Sequence, residues 1–496
     1  MSLPAYGNFI GGQWDFDGEQ AIIYSPVDGS PLATAVMADV RKAGEAVDSA
    51  AESFHRVWRR TPPKRRRELI LRLAERMQSR ADEYARLESL NTGKVLRQSL
   101  LMDIPLAIEH MRYFSGAKFS FSRRIAHPEY PGTTGVVQHA PMGVVAAIAP
   151  WNVPLLMAVW KVAPALLAGN TVVLKPSHYT PLTAFELAKD AAAAGMPPGV
   201  LNVITGEGSV VGDALARNAK VNMLSFTGST STGKNILASA SSAVKKTTLE
   251  LGGKSPNIVF EDADLERAAK GVVFGIYLNS GQLCESGSRL LVQRGIKDEF
   301  IGRIRGILVR MKPGNPMDML TDISAITTLE QKNKIEGMVE RGLRDGANVL
   351  FRKELGKLVP EGGFYYPPLL LSGVTPGMEL AREEVFGPVL SVTEFDSERD
   401  AIETANNTVY GLASGIWTRD IRKALRVGKQ IDAGTVWVND YHLLSAAAPR
   451  GGFKESGTGR ELGYEGILEY TQTRHLFVNN GSGAIEDIAY GLVVPE

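Results

Sequence analysis

A single cysteine, Cys284, stands in a chain of 496 residues. That scarcity excludes an intrachain disulfide framework and any thiolate metal cage, so no metal site is expected, and it fits a reducing compartment. Long apolar runs are missing as well. None reaches the roughly 18 residues that a spanning helix needs; the nearest, Pro141 to Pro150, is short and rich in Ala and Gly. The opening residues Met1 to Asn8 have neither a basic segment nor an apolar core, so they do not read as a signal peptide. Neither sign of charge is in excess, with 55 basic residues against 54 acidic. No electrostatic case exists for nucleic acid or an anionic membrane as partner. Repeats and low-complexity tracts are absent. The expectation is a cytoplasmic globular protein, long enough for two or three domains.

What is present is a pattern of alternating elements. Asn8 to Trp14 and Ala21 to Pro26 read as short strands joined by a turn. Ala43 to Val57, Lys64 to Asn91 and Leu96 to Lys118 have helical spacing, and Pro62-Pro63 opens the second of these. Lys64-Arg65-Arg66-Arg67 reads as a solvated first turn rather than a phosphate patch. Phe119 to His139 has strand character, broken at Pro128, Pro131 and Gly132. Then β-like runs at Val144, Thr171, Leu201 and Met223 each precede an Ala-rich helix. Strand and helix in turn imply a parallel, doubly wound sheet, whose ligands bind at the carboxyl ends of the strands. Loops beginning at Ala149, Lys175, Thr205 and Thr227 are therefore expected to face one ligand. A second α/β unit runs from Ile258 to about Val438, with Cys284 near its start, and Arg474 to Val478 reads as a late strand.

The loops carry the chemistry. Cys284 sits among Ser280, Gly281, Ser286, Gly287 and Ser288, which let other groups approach the sulfur. A thiolate there is a strong nucleophile; the plainer reading is a buried structural thiol, which normally sits in an apolar run instead. Pro150-Trp151-Asn152 offers an amide N–H for an oxyanion and an indole N–H for a phosphate. Lys175-Pro176-Ser177 puts a cation at a strand end, where it suits a phosphate or ribose. Gly206 to Gly212 resembles a dinucleotide fingerprint but has its third glycine one place late. Phe226-Thr227-Gly228-Ser229 enters a helix whose free N–H groups suit a pyrophosphate, or simply an N-cap. Glu250 beside Gly252-Gly253 is either a surface carboxylate or a general base for water. Glu384 and Phe386, two residues apart in extended chain, suit a sugar hydroxyl and a flat ring.

Together these blocks, with Gly281-Gln282-Leu283-Cys284 and Gly451 to Gly457, resemble the aldehyde dehydrogenase superfamily from about Asn8 to Val478, in the family's order. The resemblance implies an NAD(P)-dependent, hydrolytic enzyme. Cys284 would attack the aldehyde, Asn152 and the Cys284 N–H would hold the oxyanion, Glu250 would activate water, and Glu461 would relay protons from Glu250. Cofactor contacts would come from Ala149, Pro150, Trp151, Lys175, Ser177, His178, Gly208, Gly212, Phe226, Thr227, Gly228, Ser229, Leu251, Gly252, Glu384 and Phe386. NAD is the implied cofactor, with NADP an alternative, because His178 stands where many NAD-preferring members carry Glu.

By position the aldehyde would meet Val153, Met157, Trp160, Leu278, Leu283, Glu285, Leu443 and Leu444, which suits a medium or large apolar or aromatic aldehyde. Glu285 either favours a cationic aldehyde or points away, since burying a charge is costly. The alternatives are an aminoaldehyde or betaine-aldehyde type enzyme and a non-catalytic protein on the same scaffold. The implied fold is α/β, with two doubly wound parallel-sheet domains and a small β oligomerisation arm. The expected divisions are 1–118 with 142–252 for the cofactor domain and 253–452 for the catalytic domain. The arm takes 119–141 with 466–482, a tail takes 483–496, and the arm implies a homodimer or homotetramer.

Overall fold

Val144–Ile148, Thr171–Lys175, Leu201–Val203, Met223–Thr227 and Lys246–Glu250 are five short runs, the first four buried along their whole length and the last over its final three residues. Strands covered on both faces read this way when helices flank a parallel sheet. In the computed structural model, which describes residues 3–117, 119–127, 132–479 and 493–494, they form the parallel centre of an eight-stranded sheet. Their order is Lys246–Glu250, Met223–Thr227, Val144–Ile148, Thr171–Lys175, Leu201–Val203. Register pairs Ile148 with both Lys175 and Phe226, and Thr227 with Glu250. The loops after these residues therefore share one edge. The helix Pro154–Ala168 packs beneath, buried except at Met157, in the main hydrophobic core.

A second, seven-stranded sheet has the order Asn348–Arg352, Leu369–Ser372, Val389–Phe395, Arg289–Gln293, Pro256–Val259, Ala413–Trp417, Thr435–Val438. All its pairings are parallel except that of the first edge strand. The first sheet's last parallel strand ends at Glu250, and only Leu251 to Ser255 separate it from the second sheet. This short link sets the two sheets' ligand-facing loops against each other. A small antiparallel sheet of Thr471–Asn479, Thr133–Pro141 and Ser122–Ala126 stands apart from both. Among the described residues no helix is long and apolar enough to cross a membrane.

The architecture agrees with the α/β expectation, and its details differ in instructive places. Asn8–Ile10 and Gln13–Asp15 make a hairpin at the edge of the first sheet, whereas Glu19–Tyr24 joins Pro31–Met37, a strand not expected from the sequence. The long helix expected over 64–91 is two helices, Pro63–Ser79 and Ala81–Thr92, because Arg80 leaves helical geometry. Its guanidinium there reaches Glu83, Glu186 and Asp190, so tertiary ion pairs offset the lost helical continuity. The next helix opens as Leu96–Gln98, widens through Ser99–Asp103 and resumes at Ile104–Gly116, where Pro105 has no N–H to give. The expected helix over 210–217 likewise begins with a wide turn, Gly208–Gly212. Pro128, Pro131 and nearly all of the tail from Gly481 lie outside the described residues.

Candidate active site

The loop that presents Cys284 is wound against its natural hand. Asn279, Ser280 and Gly281 have φ of 50°, 50° and 73°. Left-handed L-residues cost roughly 1–2 kcal/mol each, so other contacts must hold them. Gly281 lies against the Gly387 carbonyl, where a Cβ would collide. Ser280 Oγ donates to the Ser324 carbonyl at 2.7 Å. The wholly buried Gln282 side chain donates to the carbonyls of Asn279 (3.0 Å) and Ala325 (3.1 Å) and accepts from the Thr327 N–H at 2.9 Å. Gln282, which the sequence offered only as a member of the Gly281-Gln282-Leu283-Cys284 block, is the brace of this loop.

Asn152 is tied to the same loop. Its Nδ2 donates to the Gln282 carbonyl at 2.7 Å, and its own carbonyl accepts from Asn279 Nδ2 at 3.2 Å. An amide nitrogen has two hydrogens, so one remains for a ligand. Glu250 ends its strand buried, at 7% exposure, and burial, followed by the charge of Glu461, raises its pKa to about 8. Glu461 is itself buried and ion-paired with Lys161, whose Nζ also reaches Ser225 Oγ at 3.4 Å. Lys161 was missed, yet it is the only charged residue within the helix Pro154–Ala168. The Cys284 thiol is pushed up to about 11 by burial, with Arg450 pulling the other way. Gly253 lies so close to the Cys284 carbonyl that a Cβ would collide, which brings the Glu250 and Cys284 loops together.

Cys284 opens on a cavity of about 140 Å³. Its walls include Pro150, Trp151, Asn152, Met157, Thr227, Gly228, Ser229, Leu251, Gly252, Glu384 and Phe386, all singled out in the sequence, with Gln331 and Lys334 in addition. Phe386 holds φ of 55° and sets its ring edge-on to Trp151, centroids 5.2 Å apart. Gln331 Nε2 fixes that turn by donating to the carbonyls of Val385 (2.9 Å) and Phe386 (3.1 Å). Glu384 Oε1 accepts from the Gly253 N–H at 3.0 Å, and burial lifts its pKa to about 7. Ser229 Oγ caps the helix Thr230–Ala240 by accepting from the Thr232 N–H at 3.2 Å.

The remaining cofactor candidates lie along the same strand edge. The Ala149 N–H donates to the Lys175 carbonyl, and Lys175 Nζ, buried, donates to the Pro176 carbonyl at 3.1 Å. Ser177 Oγ accepts from the Tyr179 N–H at 3.3 Å, and Phe226 is buried beneath Gly228. His178 Nε2 is 3.5 Å from Glu207, and both line a separate cavity of about 1030 Å³ with Val210. Gly208 and Gly212 bound the wide turn beside it. The substrate candidates divide. Val153 and Trp160 belong to the main core, against which Met157, Leu283 and Leu444 pack. Leu278 instead lines a different groove with Leu101, Met102 and Phe274, and Leu443 is 63% exposed. Glu285 faces Arg450 and His442.

The profile of the Aldehyde dehydrogenase family matches residues 14–476. The chain belongs to the aldehyde dehydrogenase family. Betaine aldehyde dehydrogenase of Bacillus subtilis (strain 168) is 41% identical over 485 residues, spanning 96% of this chain and 98% of that one. Phenylacetaldehyde dehydrogenase of Pseudomonas fluorescens is 40% identical over 494 residues, with 96% and 98% covered. Among solved folds, the crystal structure of Staphylococcus aureus betaine aldehyde dehydrogenase in complex with NAD+ superposes with a TM-score of 0.94 at 36% identity, covering 97% of this chain and 96% of that one. The two sheets on either side of Cys284 are thus the family's cofactor and catalytic units.

Proposed function

We propose that this chain oxidises an aldehyde to its carboxylic acid, with NAD+ as acceptor, through covalent attachment to Cys284. The observation that carries the reading is the convergence of Cys284, Asn152, Trp151, Ser229, Glu384 and Phe386 on one cavity. The cavity suits the nicotinamide end of a dinucleotide. A Cβ at Gly252 would come within 2.6 Å of Glu384 Oε2, and one at Gly228 within 2.5 Å of the Phe226 ring, so bare backbone forms the cleft there. Among the described residues the buried Thr227 hydroxyl has no hydrogen-bond partner. Ser229, Trp151 and the helix N-terminus would hold the pyrophosphate, Lys175 and Ser177 the adenosine ribose, and Glu384 with Phe386 the nicotinamide end. When bound, the dinucleotide supplies the hydride acceptor.

The chain's own residues do the rest. The Cys284 thiolate adds to the carbonyl carbon, and the second Asn152 N–H and the Cys284 N–H steady the resulting oxyanion; one such donor is worth about 3 kcal/mol. Loss of hydride leaves a thioester on Cys284. Glu250, as carboxylate, takes a proton from water, and the hydroxide displaces the thiolate to release the acid. Glu461 and Lys161 form the charged backing of Glu250. Met157, Leu283 and Leu444 provide an apolar approach for a medium or large aldehyde.

Glu207 supports the NAD+ preference. It brings a carboxylate to His178, on the neighbouring loop, which disfavours a 2′-phosphate. Self-association into a dimer or tetramer is supported by the small sheet. Leu476, Phe477 and Val478 expose 38%, 50% and 43% of their surface on its edge strand. We also assign 1–118 with 142–252 to cofactor binding and 253–452 to catalysis. The test is absorbance of NADH from purified protein, NAD+ and phenylacetaldehyde. Absence of any NADH would end the proposal.

A further inference from the structure

Behind Cys284 lies a buried ionic cluster that the reaction does not need. Arg450 Nη2 is 4.0 Å from Cys284 Sγ. The guanidinium is ion-paired with Glu285 and lies 5.5 Å from the centroid of the Trp160 ring, over its face. Glu285 Oε1 is 2.8 Å from His442 Nδ1, and His442 Nε2 is 3.1 Å from the Gly275 carbonyl. Trp160 is locked in place by its indole N–H, which donates to His110 Nδ1 at 2.7 Å. Arg450, Glu285, His442 and Trp160 are all buried. The carboxylate is drawn onto Arg450 and His442, so the member of the pair that reaches the sulfur is the cation.

We propose that Arg450 is a specificity-determining residue, one that turns cationic aldehydes away from Cys284 and favours neutral and anionic ones. The inference rests on the aldehyde-oxidising reading above. Two physical effects carry it. The face of a tryptophan is the best side-chain surface for a substrate cation, and here the protein's own guanidinium already covers that of Trp160. The second effect is distance. In the covalent adduct of betaine aldehyde, three bonds join the ammonium nitrogen to the sulfur, which confines it to within ~5 Å of Sγ. Arg450 Nη2 is 4.0 Å from Sγ, so the two cations lie no more than ~9 Å apart whichever way the substrate enters. Two unpaired like charges that close in protein surroundings repel by an amount worth about tenfold or more in binding, and the Glu285 carboxylate offsets part of that repulsion here. A guanidinium has five N–H donors. Among the described residues its polar partners are the Glu285 carboxylate and the Cys284 sulfur, which leaves donors for an acceptor oxygen on the substrate.

Betaine aldehyde and 3,3-dimethylbutanal have nearly the same shape and differ in charge, so their kcat/KM ratio with NAD+ reads the effect. Hydration of the two aldehydes cancels when the ratio is compared between proteins. Arg450→Met is expected to shift the ratio toward betaine aldehyde by at least about tenfold. Arg450→Lys, which keeps the charge, is expected to leave it near the native value. Should Arg450→Met not fold, Glu285→Gln with Arg450→Met removes the pair together, and the ratio is expected to shift in the same direction by a smaller factor.

A second measurement needs no cofactor. Cys284 is the only cysteine, so alkylation reports that sulfur alone. The rate ratio of iodoacetate to iodoacetamide is expected to fall at least about tenfold on loss of Arg450. A native preference for betaine aldehyde, or ratios unchanged by removal of Arg450, would overturn the proposal. Oxidation of neither of these nor of phenylacetaldehyde would overturn the reading beneath it as well.

Discussion

The wall of the Cys284 cavity that carries Gly228, Ser229 and Gly252 is made of backbone and hydroxyls, whereas the sulfur's other flank is made of buried ions. The first wall works by shape. Its glycines sit where a Cβ would strike Phe226 or Glu384, and its helix N-terminus offers N–H groups to an anion. The second works by charge, with Arg450 and Glu285 paired against Cys284, and Lys161 and Glu461 paired behind Glu250. A surface of backbone can receive a ligand common to many enzymes. A surface of charged side chains can be changed one residue at a time, and that is where the aldehyde is chosen.

Removing the point where the walls meet gives the largest effect. Cys284→Ala is expected to abolish oxidation of every aldehyde tested by NADH absorbance, with the fold retained by circular dichroism. Glu250→Gln comes next. It should keep a pre-steady-state burst of NADH and slow steady turnover by about 10²–10⁴-fold; a lost burst would place Glu250 in the first half-reaction instead. Arg450→Met alone leaves Glu285 buried without its cation, which costs about 3–5 kcal/mol in chemical denaturation. The double variant with Glu285→Gln should recover much of that loss, and no recovery would mean that the pair is not the stabilising unit.

The pH profile is a gentler probe. Only the carboxylate form of Glu250 accepts a proton from water, and burial with Glu461 sets its pKa at about 8. Deacylation-limited turnover should therefore climb as pH rises toward 8 and level above it. Lys161→Met, which strips Glu461 of its cation, should move that midpoint upward. The smallest expected change lies in the separate cavity that His178 and Glu207 line. Glu207→Gln should lower the NAD+ over NADP+ preference in kcat/KM only severalfold, because Glu207 is largely exposed and screened.

The same contrast explains what the sequence disclosed. Turns that need glycine, hydroxyl or amide at fixed places leave local signatures, so Asn152, Glu250, Cys284 and Glu384 could be named before any coordinates. Glu285 and Glu461 could be named as well, but the cations they meet could not: Arg450 is 166 residues from Cys284, and Lys161 is 300 from Glu461. The sequence left two meanings open for Glu285, and the structure turns its carboxylate onto Arg450. Leu278 and Leu443 were assigned by position in the chain, but Leu278 faces another groove and Leu443 faces solvent. Alternation of strand and helix foretold both parallel sheets. It could not foretell the break at Arg80, since the carboxylates that hold it, Glu186 and Asp190, come from a distant helix.

Asn279 and Ser280 hold a backbone shape that a free peptide of the same residues would shun. What restrains them is a clasp in which Ser324 holds Ser280, and Ala325 and Thr327 hold Gln282, each 43 to 45 residues downstream of its partner. The nucleophile therefore has no address until the second sheet has closed around it. On renaturation from urea, dehydrogenase activity should return later than helical ellipticity, and a half-made molecule would carry a thiol but no catalyst.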